Sequence, residues 1–82
     1  MVEFSIYEIW IPGINHEHRS PEIIIRLKRP EFQEWLEECV GDTGWSMRWN
    51  MRHSEYDTGY SLFEILIQYQ DQDNAFLHRM RW

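Results

Sequence analysis

The sequence predicts a single α+β domain, an antiparallel sheet of four to five strands with one main helix packed on one face. Three observations carry this. Residues 45–53 alternate strictly between large apolar and polar side chains, the mark of a half-buried strand. Residues 30–40 repeat apolar side chains at i, i+3, i+4, i+7 and i+8, the mark of a helix with one buried stripe. Residues 60–70 alternate again after a short polar loop, as the second arm of a hairpin does. A chain of 82 residues suits one domain, and at this size only about 60% of the unfolded surface is buried. Five Trp, four Tyr and four Phe compensate, since aromatic side chains bury roughly 150–250 Å² each.

Residues 2–11 predict a strand. Phe4, Ile6 and Trp10 fall on one face with Glu8; Tyr7, Ile9 and Ile11 fall on the other with Glu3 and Ser5. Apolar residues on both faces suit a central strand or one partly covered on its second face. Pro12-Gly13 ends it, and residues 14–20 form a polar loop. Residues 21–29 carry conflicting signals. Ser20-Pro21-Glu22 has the cap, first-position proline and early acid of a helix start. Ile23-Ile24-Ile25 is β-branched, and Pro30 interrupts any helix running onward. These favour a strand at 22–28.

In helix 30–40 the buried stripe is Phe32, Trp35, Leu36, Cys39 and Val40. Pro30 suits its first position and Gly41 its C-terminal cap. Glu31, Glu34, Glu37 and Glu38 take the outer face. Glu37 and Glu38 oppose the helix dipole near the C-terminus, at a cost of about a few tenths of a kcal/mol. Local conflicts of this kind mark function in some proteins. Asp42-Thr43-Gly44 is a turn. In strand 45–53, Trp45, Met47, Trp49 and Met51 share one face, and Ser46, Arg48, Asn50 and Arg52 the other. Residues 55–59 close the hairpin. Strand 60–70 puts Phe63, Ile65, Ile67 and Tyr69 on one face, and Leu62, Glu64, Leu66 and Gln68 on the other. Asp71-Gln72-Asp73 starts a short helical turn through Leu77. Residues 78–82 form a final strand, with Met80 and Trp82 inward and Arg79 and Arg81 outward. Were 21–29 not a strand, the order would become the split βαβ, ferredoxin-like one. The expected core is Phe4, Ile6, Phe32, Trp35, Leu36, Trp49, Phe63, Ile65 and Ile67.

The formal net charge of −6 disfavours general attraction to nucleic acid or to anionic membranes. Cys39 is the one cysteine, so neither an intrachain disulfide nor a CxxC redox pair can form. That fits a reducing cytoplasm. Residues 1–11 lack the basic start and apolar core of a signal peptide, and no apolar run approaches the ~20 residues of a membrane helix.

His16-Glu17-His18 is the one metal-like cluster. Extended, its two imidazoles project to one side, and zinc or nickel would suit them. A third ligand would have to come from His53, Glu55 or Asp57, and no spacing requires it. A solvated polar loop is the plainer reading, so no metal and no cofactor is assigned. Cys39, on the apolar stripe, is expected to be a buried small hydrophobe rather than a reactive thiol. Asp71 and Asp73 suit helix capping better than acid–base work. Neither a GxSxG, a P-loop nor a GxGxxG is present, and no acid–base pair stands out. The chain is therefore expected to be non-catalytic.

Four arginines form the candidate binding set. Arg48 and Arg52 share the outer side of their strand, and Arg79 and Arg81 that of the closing strand. In one sheet they would converge. Such a face binds an acidic protein partner, since arginine is favoured at interfaces, or single-stranded nucleic acid by backbone attraction and base stacking. Pairing with Glu64 across the sheet is the structural alternative. The acidic helix face offers an opposite surface for a basic partner, or is simply solvated.

The strand from Tyr60, then Asp71-Gln72-Asp73-Asn74-Ala75-Phe76-Leu77 and a closing Arg-Met-Arg-Trp, resembles the ending of small uncharacterised proteins encoded by tailed phages. Phe32-Gln33-Glu34-Trp35-Leu36-Glu37-Glu38 followed by Gly41 is similar to the helix those proteins carry. The resemblance covers about two-thirds of the chain and rests on structural motifs. It implies the cytoplasm of an infected bacterium and no activity. The expected function is that of a small phage-type modulator binding a host or phage protein, with nucleic-acid binding as the alternative. Homodimerisation through the two-sided strand 2–11 is a further expectation to test.

Overall fold

The structure is a computed structural model and describes residues 2–12, 20–53 and 59–82. Six elements follow in order: β1 (Glu3–Pro12), α1 (Pro21–Lys28), α2 (Pro30–Cys39), β2 (Trp45–His53), β3 (Tyr60–Tyr69) and α3 (Gln72–Arg81). The strands form one antiparallel sheet in the order β1-β3-β2. The α+β class and the β2–β3 hairpin agree with the sequence. The sheet has three strands rather than four to five, and three helices lie against it rather than one.

β3 is the central strand, and its alternation is the frame of the core. Phe63, Ile65, Ile67 and Tyr69 are all buried on the face that the helices cover. Ile25 of α1 and Phe32 and Leu36 of α2 are fully buried against them. Among the described residues no helix lies on the opposite face of the sheet, so these elements form two layers.

Two segments expected as strands are helices. Residues 21–28 follow the helix-start signal: Ser20 caps α1, its Oγ accepting from the Ile23 amide at 3.4 Å. The β-branched run costs a few tenths of a kcal/mol per residue in a helix, which the full burial of Ile25 outweighs at about 1.5–3 kcal/mol. Pro30 does not break α1, because the chain turns at Arg29 and Pro30 takes the first position of α2. Residues 78–81 extend the short turn into α3. Asp71 caps it, its carboxylate accepting from the Asp73 amide at 2.8 Å. Ala75, His78 and Trp82 recur at i, i+3 and i+7, so one helical face meets the core. The ferredoxin-like order falls with the missing closing strand.

β1 is an edge strand, not a central one, and a bulge explains its two-sided pattern. Ser5 pairs with Leu66 and Tyr7 with Ile65, so Ile6 is an extra residue in the ladder. Paired residues share a face. Phe4, Tyr7, Ile9 and Ile11 therefore lie on the helix side, where Ile6 is buried in the core. Glu3, Ser5, Glu8 and Trp10 lie on the open face. The even spacing expected across the strand shifts by one residue at Ile6, which turns Trp10 away from the face of Phe4 and Ile6 and leaves it 56% exposed.

Four further side chains differ from expectation. Trp49 is 38% exposed because β2 is the other edge, although its ring stacks on Phe63 at 6.1 Å. Phe4 and Trp35 are partly buried against the core rather than inside it. Cys39, at the last turn of α2, is exposed. As expected, Gly41 ends α2: at φ +98° its amide reaches back to the Leu36 carbonyl at 2.9 Å, a conformation glycine adopts freely. No helix among the described residues is long and apolar enough to cross a membrane.

Candidate interaction surface

The structure separates the four candidate arginines into two pairs. Arg48 and Arg52 lie on the open sheet face, as their alternation required. Arg79 and Arg81 lie on α3, across the sheet from them. The convergence expected from a closing strand does not form.

The sheet-face pair is answered locally. Arg48 makes a two-pronged ion pair with Glu3, Nε and Nη2 donating to its two oxygens at 2.7 and 2.8 Å. The guanidinium beside it holds the Glu3 carboxyl below its usual range, and Glu3 in turn raises the pKa of Arg48. Arg52 approaches Glu64 at 3.3 Å, and the Asn50 amide donates to the same oxygen at 3.1 Å. Glu64 is buried on this otherwise open face, with Glu8 directly across the ladder. Among the described residues three carboxylates thus share the face with two guanidiniums, with no excess positive charge for a phosphate backbone.

α3 is held to the body by an aromatic cluster. His78 is buried and stacks on Phe4 at 4.1 Å. Phe32, Trp35 and Tyr69 surround it edge-on or tilted at 5.5 to 6.1 Å. Burial, with the Arg29 charge second, pushes its imidazole down to about 4, so the ring is neutral at pH 7. The Tyr69 hydroxyl lies 2.8 Å from Nδ1. A buried tyrosine proton needs an acceptor, and the neutral ring supplies one. Burial also raises the pKa of Tyr69, which keeps that proton in place.

Arg29, between α1 and α2, is the hub of this cluster. Its Nη1 donates to the Ile6 carbonyl at 2.7 Å, at the bulge where the ladder is interrupted. Its guanidinium also lies 5.5 Å from the Phe32 ring centre and 5.0 Å from that of Trp82. Nothing in the sequence singles out Arg29. Its role follows from a bulge and a helix boundary that local pattern does not reveal.

With His78 and Ala75 turned inward, the outer face of α3 is left to large apolar side chains. Phe76 is 61% exposed, Leu77 43% and Met80 72%. Helical spacing places 76 beside 80, 77 beside 80 and 81, and 76 beside 79. Arg79 and Arg81 therefore border the apolar patch. Arg79 lies 5.6 Å from the Phe4 ring and Arg81 the same distance from the Trp82 ring.

Among the described residues no group of three His, Cys, Asp or Glu side chains could hold a metal ion. His16 and His18 lie outside the described residues, as do Glu55 and Asp57. The chain matches no family model, no curated protein and no solved structure.

Proposed function

We propose that this chain is a non-catalytic protein-interaction module that docks through the outer face of α3. The observation that carries this is the exposure of Phe76, Leu77 and Met80 side by side on one helix. Monomeric proteins rarely present such a contiguous apolar patch without a use for it. Phenylalanine, methionine and arginine are the residue types that interfaces favour. A helix presenting an apolar stripe with flanking charge is a recurring docking mode. The matching partner is a protein with an apolar groove rimmed by carboxylates, which Arg79 and Arg81 would meet. Arg48 and Arg52 are less suited, since Glu3 and Glu64 already answer them. The resemblance to small tailed-phage proteins makes a host or phage protein the partner to look for.

The test compares tagged wild type, a Phe76→Ser/Met80→Ser variant and an Arg48→Gln/Arg52→Gln variant for capture from bacterial lysate, with and without nuclease. The expected result is one stoichiometric protein, insensitive to nuclease, held by wild type and by the arginine variant and lost by the helix variant. Retention by the helix variant would overturn the assignment of the surface. Capture that vanishes with nuclease would move the reading to nucleic acid.

A further inference from the structure

A cleft of about 280 Å³ lies where α2 meets the end of α3, lined by Glu31, Glu34, Trp35, Glu38, Arg81 and Trp82. It adjoins the α3 docking surface at Arg81 but contains none of its apolar side chains. We infer that this cleft binds an alkylammonium cation, such as the end of a lysine or methyl-lysine side chain.

Its walls supply the two things such a cation needs. The indoles of Trp35 and Trp82 stand nearly at right angles, 77° apart with centres 6.2 Å from one another. Two aromatic rings at an angle make two sides of a cation cage, since each ring face is negative. Trp82 already meets cations this way within the chain: Arg29 and Arg81 lie 5.0 and 5.6 Å from its ring centre, and an entering cation takes the place of the exposed Arg81. The third side is carboxylate. Glu31, Glu34 and Glu38 share one face of α2 at i, i+3 and i+7. Among the described residues none of the three makes an ion pair or hydrogen bond with another side chain. Arg81 lines the cleft and Arg29 stands over Trp82, so among the described residues three carboxylates meet two guanidiniums and the balance is negative.

Two features select an alkylammonium over other ligands. Anions are excluded by the carboxylates. Small metal ions need ligands that converge on a point, and these carboxylates are not among any group that could hold one. A bulky, diffuse cation fits, because it meets indole faces and carboxylates at larger separation. The same binding accounts for a local conflict in α2. Like charges at i+3 and i+4 repel, and Glu38 opposes the dipole at the helix C-terminus. Both effects work against the bare helix, and a bound cation offsets both.

The experiment follows the indole Nε1–H resonances of Trp35 and Trp82 by NMR, with the other tryptophans as internal controls. The full chain is titrated with choline, with Nα-acetyl-lysine methylamide, and with 3,3-dimethylbutan-1-ol, the neutral isostere of choline. The proposal expects saturable shifts at both indoles with at least one cation and none with the alcohol. A preference for choline assigns a methylated ammonium; equal binding or a preference for the lysine derivative assigns a primary one. Glu34→Gln/Glu38→Gln, which alters exposed side chains, should weaken binding about fivefold or more, and Arg81→Gln should tighten it. The Phe76→Ser/Met80→Ser variant should bind choline as wild type does, so that failure here and failure of the α3 docking surface stay distinct. Equal shifts with the alcohol, unchanged affinity in the double glutamine variant, or no saturable shift at tens of millimolar would overturn the proposal.

Discussion

Acid should unfold this domain through His78, and the size of the effect can be worked from its surroundings. The ring is 5% exposed, packed on Phe4 and faced by the Arg29 charge, and its pKa falls from 6.5 to about 4. In the unfolded chain it returns to the ordinary value. Between pH 6.5 and 4 the unfolded state therefore holds a proton that the folded state refuses. Stability must fall as pH drops through that window, and the His78 contribution levels off below it. At about 1.4 kcal/mol per pH unit the loss is about 3 kcal/mol, a large share of the ~5–15 kcal/mol typical of a domain. The assay is a difference measurement, in which pH effects common to both chains cancel. Urea unfolding at a series of pH values would be run on wild type and on His78→Gln, which retains an oxygen for the Tyr69 hydroxyl. The variant is expected to be the less stable at pH 7, with the gap narrowing by about 3 kcal/mol on reaching pH 4. Parallel curves would refute the burial argument.

The remaining predictions use the same stability assay except one. Phe32→Ala, at a fully buried site, should cost about 3–5 kcal/mol, and Trp35→Ala, at a partly buried one, should cost less. Arg29→Leu leaves the Ile6 carbonyl without its charged donor and should cost about 2 kcal/mol. Ser20→Ala removes the cap of α1 and should cost about 0.5–1 kcal/mol; no loss would show that Pro21 alone sets the start. Cys39, exposed on α2, should react with a thiol reagent in the folded protein as fast as in urea. Strong protection would contradict its placement.

What the sequence revealed depended on how far each element's pattern extends. β2 and β3 alternate over nine and ten residues, long enough for period alone to give strand, face and hairpin. α2 has a proline at its first position, a glycine after its end and an apolar repeat between them, and is equally clear. α1 was ambiguous because its composition argues against its cap: three isoleucines favour a strand, while Ser20 and Pro21 start a helix. Burial of Ile25 settles it, and burial is a tertiary fact. The last residues misled for a different reason. Met80 and Trp82 alternate with Arg79 and Arg81 over too few positions to separate the two periods, and His78 did not count as apolar although it is the buried residue of α3. Arg79 and Arg81 depend on that short stretch, so only Arg48 and Arg52 fall on the face that alternation gives them. The cleft joins residues about fifty positions apart in sequence, and no local pattern could have joined them.

The extra residue in β1 makes the strand two half-strands of opposite phase. Deleting Ile6 would restore an unbroken ladder, and every other side chain of β1 would keep its own face at the cost of one core side chain. Deleting Ile9 instead would carry Trp10 toward the helices and turn Ile11 out, or drag the strand one step along β3. Length changes in this strand are therefore tolerated at one address, and Arg29 stands guard over it by holding the carbonyl that the irregular step sets free.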